Sequence, residues 1–237
     1  MNTYRLNSLL KSSKLSVFHP SDIMKAAGVD AASAHVYALR MVRKGLLFPV
    51  ENGKYTTSND PYVVASQIFS VSYISFISAL SLYGQVEQVL KDILVVAPTF
   101  HREIEFEGVN IRFIKFPRAL FFGFRKIPRG DSYVMLADRE KAIVDSLYRT
   151  RYTRFNVLLE ALENETDYAK FVEYVTRCGR ESVIRRAGFL MDFIGVKHDL
   201  KPGTRVFYKL NPALKESGVL NSKWKLYINE DLESWAK

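Results

Sequence analysis

The 237-residue sequence has few of the residues and motifs on which most catalytic and metal sites are built. It contains one cysteine, Cys178, which excludes an internal disulfide and is typical of the reducing cytoplasm. Its four histidines show no metal-ligand spacing with one another or with Cys178. Dinucleotide-binding, P-loop and nucleophile-elbow motifs are absent as well. We therefore expect a cytoplasmic protein without metal, cofactor or enzymatic activity; the alternative is an enzyme whose carboxylates converge only in the fold.

Charged residues are missing from one long stretch, residues 61–86, which is long enough to raise the question of a membrane span. About 20 apolar residues can cross a bilayer. This stretch contains serines and glutamines, however, and each of their polar groups would need a partner in lipid. It also breaks near residues 70–72. The stretch therefore predicts two short buried helices and no membrane partner, and residues 1–14 hold no apolar run long enough for a signal peptide.

Basic residues outnumber acidic residues in the whole chain. The formal net charge is +9 and the sequence pI is about 9.5. Such a balance favours an acidic partner, nucleic acid or an anionic surface. Apolar residues make up 48% and charged residues 25%, which is typical of a globular chain.

Residues 1–60 have the pattern of three helices followed by a two-stranded hairpin. Asp30 can cap the third helix, and Gly45 is expected to end it. An Asn-Gly pair then predicts a tight turn between strands near residues 46–50 and 54–57. This order and these spacings match a winged helix-turn-helix DNA-binding domain, with a domain boundary after residue 60.

The third helix, residues 31–44, would be the recognition helix of such a domain. Its apolar stripe, expected in the core, consists of Val36, Leu39 and Val42. Its polar stripe, expected to contact base edges in the major groove, consists of Ser33, Tyr37 and Arg40. Phosphate contacts are expected from Arg43, Lys44 and Lys54. The alternative is a helix used for packing or protein contacts, because the helix dipole also favours bases at a helix C-terminus.

Residues 61–237 mix helical and strand patterns, which predicts a second domain of the α+β class. An apolar run at 91–99 and alternating patterns at 101–108 and 109–116 predict strands. Helices are expected between residues 155 and 194, with breaks at 163–166 and 178–179. Two more strands are expected at 205–210 and 223–228.

One further helix of this domain, residues 138–149, is amphipathic. Its apolar residues Ile143, Val144 and Leu147 are expected to face the core. Its acidic residues Asp138, Glu140 and Asp145 are expected on its solvated face.

A basic segment, residues 108–130, contains no acidic residue and several phenylalanines. Its bases are Arg112, Lys115, Arg118, Arg125, Lys126 and Arg129. Aromatic and basic side chains can together form a stacking platform for single-stranded nucleic acid. The alternative, which we favour although the alternation leaves neither face cleanly polar, places the phenylalanines in the core. The bases then form a phosphate-binding surface. A third basic group, which would extend that surface, consists of Arg177, Arg180, Arg185 and Arg186.

Four segments resemble, in content and in order, the AbiEi family of antitoxins and transcriptional regulators. They are HPSDIMKAAGVDAASAHVYALRMVRKGLL at 19–47, YISFISALSLYG at 73–84, LADREKAIVDSLY at 136–148 and RRAGFLMDFIG at 185–195. The resemblance covers most of the chain. The first segment alone is unspecific, because many regulators share a winged helix, so the order of all four carries the resemblance.

This resemblance implies a cytoplasmic, DNA-binding transcriptional autorepressor of a type IV toxin–antitoxin system. Its N-terminal domain would bind double-stranded promoter repeats of its own operon. Its C-terminal domain would act as an antitoxin and oppose a nucleotidyltransferase-like toxin without forming a stable complex with it. The alternatives are an RNA- or single-strand-binding protein that uses residues 108–130, and a nucleic-acid-processing enzyme.

Overall fold

Three helices open the chain, and local signals set their ends. α1 spans Thr3–Ser12, α2 spans Pro20–Ala27 and α3 spans Ala31–Arg43. Gly28 ends α2 in the left-handed conformation, with φ at 65°. The Asp30 carboxylate caps α3 by accepting a hydrogen bond of 2.7 Å from the Ser33 N–H. The cap at Asp30 confirms where the sequence predicts that this helix begins.

A three-stranded antiparallel sheet accompanies these helices. Its strands are β1 (Val17–Phe18), β2 (Phe48–Glu51) and β3 (Lys54–Thr56), in the order β1-β3-β2. β2 and β3 form the expected hairpin, with Gly53 at φ 73° in its turn. Pro49 lies on β2, at an edge of the sheet, where its missing N–H costs no ladder hydrogen bond.

The buried face of α3 differs from the face that the sequence predicts. Its fully buried residues are Ala34, Ala38 and Met41. Val36 and Leu39, expected in the core, are instead 44% and 43% exposed, whereas Val42 packs partly against the core. The expectation was therefore wrong for two of the three residues. Small alanines let α3 approach α1 and α2 closely, so the packing favours the alanine stripe over the stripe with larger apolar residues.

Residues 61–84 and 90–137 form two short helices and a six-stranded mixed sheet. The helices are α4 (Pro61–Gln67) and α5 (Phe76–Leu82). The strands are β4 (Tyr73–Ile74), β5 (Asp92–Ala97), β6 (Ile104–Phe106), β7 (Val109–Lys115), β8 (Phe124–Arg129) and β9 (Ser132–Ala137). Their order is β6-β7-β5-β4-β9-β8. β5 pairs in parallel with β7 and is buried from Ile93 onward, as the apolar run predicts.

The two short helices predicted for the uncharged stretch are confirmed, and its last two residues lie outside the described part of the chain. Residues 2–13, 15–84, 90–215 and 218–232 are described by this computed structural model. Within these ranges, none of the helices is both long enough and apolar enough to cross a membrane.

Four longer helices and a small sheet complete the α+β fold. The helices are α6 (Arg139–Tyr148), α7 (Phe155–Glu163), α8 (Tyr168–Cys178) and α9 (Glu181–Phe193). The strands are β10 (Tyr208–Lys209), β11 (Val219–Asn221) and β12 (Leu226–Ile228), in the order β10-β12-β11. The helix breaks at 163–166 and 178–179 are confirmed. The two strands expected near the C-terminus are present but shorter than predicted.

The acidic residues of α6 are not on a solvated face, so that expectation was wrong. Glu140 and Asp145 are 6% and 1% exposed, and Lys141 is equally buried. Lys141 forms an ion pair with Asp145, which also accepts a hydrogen bond of 2.7 Å from Ser75 Oγ. The reason is that α6 packs against α5, α7, α8 and α9, which leaves it little surface for solvent.

The described residues divide into two compact units. One consists of residues 2–13, 15–74, 90–116 and 126–136, and the other of residues 75–84, 117–125, 137–215 and 218–232. Residue 60, the boundary expected from the sequence, lies inside the first unit. There the Asp60 carboxylate pairs with Arg129, which belongs to β8.

Candidate nucleic-acid interface

The side of α3 that points away from the core carries two exposed bases and two exposed apolar side chains. We call Val36, Leu39, Arg40 and Arg43 the outward face of α3; residues spaced by three and four positions are neighbours on a helix. Arg40 and Arg43 make no hydrogen bond or ion pair with any described residue. Free guanidinium groups beside aliphatic side chains can bind phosphates or guanine edges and can contact thymine methyl groups.

Only one of the three residues predicted to read bases is free to do so. Ser33 is engaged at the start of α3, where its Oγ donates to Asp30 at 3.3 Å. The hydrogen bond from the Ser33 N–H holds the pKa of the Asp30 carboxyl below its usual value. Tyr37 is partly buried and packs against the core formed by α1, α2 and α3. Arg40 is exposed at the surface.

Lys44, predicted to contact phosphate, instead joins α3 to α1. Its ammonium group donates to Thr3 Oγ1 at 3.0 Å and lies 5.2 Å from the centre of the Tyr4 ring. Arg43, one position earlier, points to solvent. The two neighbouring bases therefore have different roles, one holding the helix in place and the other available to a ligand.

Lys54, predicted to contact phosphate from the hairpin, is held within the first unit. Its Nζ lies 2.8 Å from the Glu51 carboxylate and donates to the Ile68 carbonyl at 3.4 Å. Glu51 Oε2 also lies 3.3 Å from His101 Nε2. Burial raises the pKa of the Glu51 carboxyl, but the hydrogen bond and charge of Lys54, with the charges of His101 and Arg102, lower it overall. These paired charges hold the hairpin in position, and we call Glu51 with Lys54, His101 and Arg102 the clamp.

The bases of segment 108–130 that lie in the first unit are mostly engaged. Arg112 bridges Asp92 at 3.1 Å and Glu103 at 2.8 Å. Lys126 lies 3.5 Å from the centre of the Tyr133 ring, and Arg129 is paired with Asp60. Lys115 is exposed and has no polar partner among the described residues.

The five phenylalanines of this segment are buried or half-buried, which agrees with the expected core packing. Phe116 and Phe122 are buried, and Phe113 packs edge-on against Phe69 and His101. Buried rings cannot stack on nucleic-acid bases, so Phe116 and Phe122 do not contribute to a single-strand platform.

Two bases of the same segment belong to the second unit, together with the third basic group. Arg125 lies 3.4 Å from Asp138, and Arg118 is exposed without a polar partner among the described residues. In the third group, Arg177 is stacked over the Phe122 ring at 4.3 Å. Arg180 is exposed.

The expectation that Arg185 and Arg186 lie at a binding surface was wrong, because both are buried. Arg185 donates to the Thr204 carbonyl at 2.6 Å and to the Glu181 carboxylate at 2.7 Å. Arg186 donates to the carbonyls of Leu147 and Leu210, both at 2.9 Å, and burial lowers its pKa to about 10. These guanidinium groups satisfy backbone carbonyls that have lost water.

The acidic side chains that converge in the second unit are neutralised by neighbouring bases. Lys170 Nζ lies 3.0 Å from Asp138 and 3.1 Å from Glu140. Tyr174 donates to Asp138 at 2.9 Å; burial, this hydrogen bond and the nearby charge raise the pKa of its hydroxyl to about 12. Among the residues that the structure describes, no group of three His, Cys, Asp or Glu side chains is arranged to hold a metal ion.

The sequence did not predict that the apolar residues Val36 and Leu39 are exposed on the outward face of α3. The signal was the stripe of small residues at Ala34 and Ala38, spaced four apart, which is typical of a close helix contact. This small-residue spacing marks the side of α3 that is buried.

The fold is similar to that in the crystal structure of the RV2827C protein from Mycobacterium tuberculosis. The two structures align with a TM-score of 0.57 and 17% sequence identity, over 94% of this chain and 90% of that one. At this identity the likeness shows the fold alone. No protein-family model matches the sequence, and a search of curated proteins gave no match either.

Proposed function

We propose that residues 1–57 form a winged helix-turn-helix and that the chain binds double-stranded DNA with the outward face of α3. The observation that carries this proposal is the pair of unpartnered guanidinium groups on that face, Arg40 and Arg43. α3 follows the short helix α2 and precedes the β2–β3 hairpin, which is the order of a recognition helix and its wing. The net charge of +9 supports an anionic partner.

In this proposal α3 enters the major groove with Val36 and Leu39 towards the bases. Their aliphatic side chains contact thymine methyl groups, while Arg40 and Arg43 bind guanine edges or flanking phosphates. Lys44 and Lys54 hold α3 and the hairpin in position through their internal contacts. Lys115 and Lys126 of the first unit are exposed bases that add phosphate contacts.

Loss of the two arginines should abolish tight binding to the promoter of the chain's own operon. We expect Arg40→Ala/Arg43→Ala to weaken binding by about 100-fold, because each lost charge-assisted hydrogen bond is worth at least about 1.4 kcal/mol. Fluorescence anisotropy with a duplex carrying the upstream region measures this effect. The matched control is Lys197→Ala/Arg205→Ala, which removes the same charge from exposed positions of the second unit and should change affinity only slightly.

Equal affinities for the two double variants would contradict the role of α3. Titration of a structured RNA at matched salt is the second arm of this experiment. Tighter binding of that RNA than of the duplex would instead favour an RNA-binding protein.

The resemblance to AbiEi proteins supports a more specific role, that of an autorepressor and antitoxin acting in the cytoplasm. In this proposal the second unit opposes a nucleotidyltransferase-like toxin encoded beside the gene, with no catalytic step of its own. The two activities then reside in different units.

Antitoxin activity should therefore survive the loss of DNA binding. We expect Arg40→Ala/Arg43→Ala to restore growth of cells that express the neighbouring toxin as well as the unchanged chain does, provided that both are expressed from an independent promoter. Colony counts after toxin induction measure the effect. Failure of the unchanged chain to restore growth would refute the antitoxin role and leave the DNA-binding proposal to its own test.

A further inference from the structure

A cleft of about 420 Å³ opens in the second unit at the start of α7. Most of its lining comes from the short segment of residues 150–156, and the rest includes Asn211 and Glu230. Its volume lies within the range of small-molecule sites, roughly 300–1,000 Å³. The DNA-binding proposal concerns the first unit and makes no use of this cleft.

One part of the cleft lining carries two arginines. Arg154 is exposed and makes no hydrogen bond or ion pair with any described residue. Arg151 donates to the Tyr152 hydroxyl at 2.7 Å, and its guanidinium carbon lies 4.8 Å from the centre of that ring. The lining thus offers a free cation for an anion at Arg154, and an aromatic ring and a guanidinium group on which a base can stack at Tyr152 and Arg151.

One residue of the lining, Asn156, has a side-chain oxygen that lacks a partner. Asn156 Oδ1 is buried and accepts no hydrogen bond from the described residues. A buried acceptor of this kind is unfavourable unless a donor reaches it. Glu230, whose Oε1 accepts a hydrogen bond from Asn211, adds another acceptor to the lining. Tyr152 is held in place by the buried Phe76 ring, whose centre lies 5.2 Å away.

We propose that this cleft binds a nucleotide. Arg154 holds the phosphate and the base stacks on the Tyr152 ring beside the Arg151 guanidinium. Asn156, on turning its side chain into the cleft, accepts a hydrogen bond through Oδ1 from an amino or hydroxyl group of the nucleoside. The same chemistry is offered by a free nucleotide and by a nucleotide within an RNA strand.

Calorimetric titration of the full chain tests this proposal with four probes: AMP, GMP, inorganic phosphate and a short single-stranded RNA. We expect at least one purine nucleotide to bind saturably and more tightly than phosphate. Arg154→Ala should weaken that binding by about tenfold, the effect of one lost charge-assisted hydrogen bond. The side chain of Arg154 does not cap α7, so the fold should tolerate the change. Arg205→Ala is the control for charge.

A second variant separates binding from folding. Asn156→Leu removes the buried unpaired acceptor, so the melting temperature should stay the same or rise while nucleotide affinity falls. If the RNA binds more tightly than AMP and GMP, and if this binding also depends on Arg154, the natural ligand is a nucleotide within an RNA strand. If AMP or GMP binds more tightly than the RNA, the natural ligand is a free nucleotide. The proposal is overturned if phosphate binds as tightly as both nucleotides, or if neither variant changes affinity.

Discussion

Three buried side chains decide which side of α3 is left for a ligand. Ala34, Ala38 and Met41 occupy one stripe and are fully buried. Because the helix repeats every 3.6 residues, that stripe directs Leu39 and Arg43 to solvent. Hydrophobicity alone cannot identify the buried stripe, since α3 carries apolar residues on two sides. Which side of α3 is buried depends on the size of the side chains at the contact between helices, and therefore on the helices that pack against it.

Paired alanine substitutions test this orientation. Met41→Ala should destabilise the fold by about 2–5 kcal/mol, the usual cost of truncating a buried side chain. Leu39→Ala, at a position that is 43% exposed, should change the free energy of unfolding by about 0.5 kcal/mol or less. Urea-induced unfolding followed by circular dichroism measures both. A larger loss for the Leu39 variant than for the Met41 variant would mean that the helix is turned the other way.

At the scale of the element, the β2–β3 hairpin owes its position to a small cluster of charges. Glu51 faces Lys54, His101 and Arg102, and its side chain is only 10% exposed. The Asn-Gly turn and the strand pattern predict the hairpin itself. They do not predict the clamp, because His101 is distant in sequence and reaches Glu51 only through the fold.

The clamp makes a pH-dependent contribution to stability. The folded pKa of Glu51 lies below its ordinary value of 4.5, so this contribution is complete above that value and is lost as pH falls through the lowered pKa. Glu51→Gln should therefore lower the melting temperature at pH 7, and the difference from the unchanged chain should shrink below about pH 4.5. Differential scanning calorimetry at several pH values measures it. Glu105→Gln, an exposed position on β6, is the control. A difference that stays constant with pH would show that Glu51 has no such role.

The helix α6 shows why the burial of charged residues is harder to predict from the sequence than the presence of a strand. A pattern such as Asp138, Glu140 and Asp145 is usually a solvated face, and nothing local marks it as buried. Its burial depends on Lys141, Lys170 and Ser75, which supply the compensating charges and hydrogen bonds. Two of these three residues, Lys170 and Ser75, lie outside α6, so the sequence of the helix alone does not show that its acidic residues are neutralised.

At the scale of the whole molecule, the α+β class follows from the alternation of strand and helix patterns. The division into two units does not, since residues 126–136 return to the first unit after a stretch that belongs to the second. The central claim is that the outward face of α3 contacts DNA. Mutations test that claim through affinity, whereas a reagent attached to the face reports contact directly.

Tethered DNA cleavage is that direct measurement. Ala32 is exposed at the start of α3, and Ala32→Cys can carry an iron chelate that cleaves nearby DNA. Cys178 is buried and its burial raises its thiol pKa, so the unchanged chain should take up little reagent. Lys197→Cys, exposed in the second unit, is the matched control. The account predicts localised cleavage of promoter DNA from position 32 and much weaker cleavage from position 197; no cleavage from position 32 on DNA that is bound would contradict it.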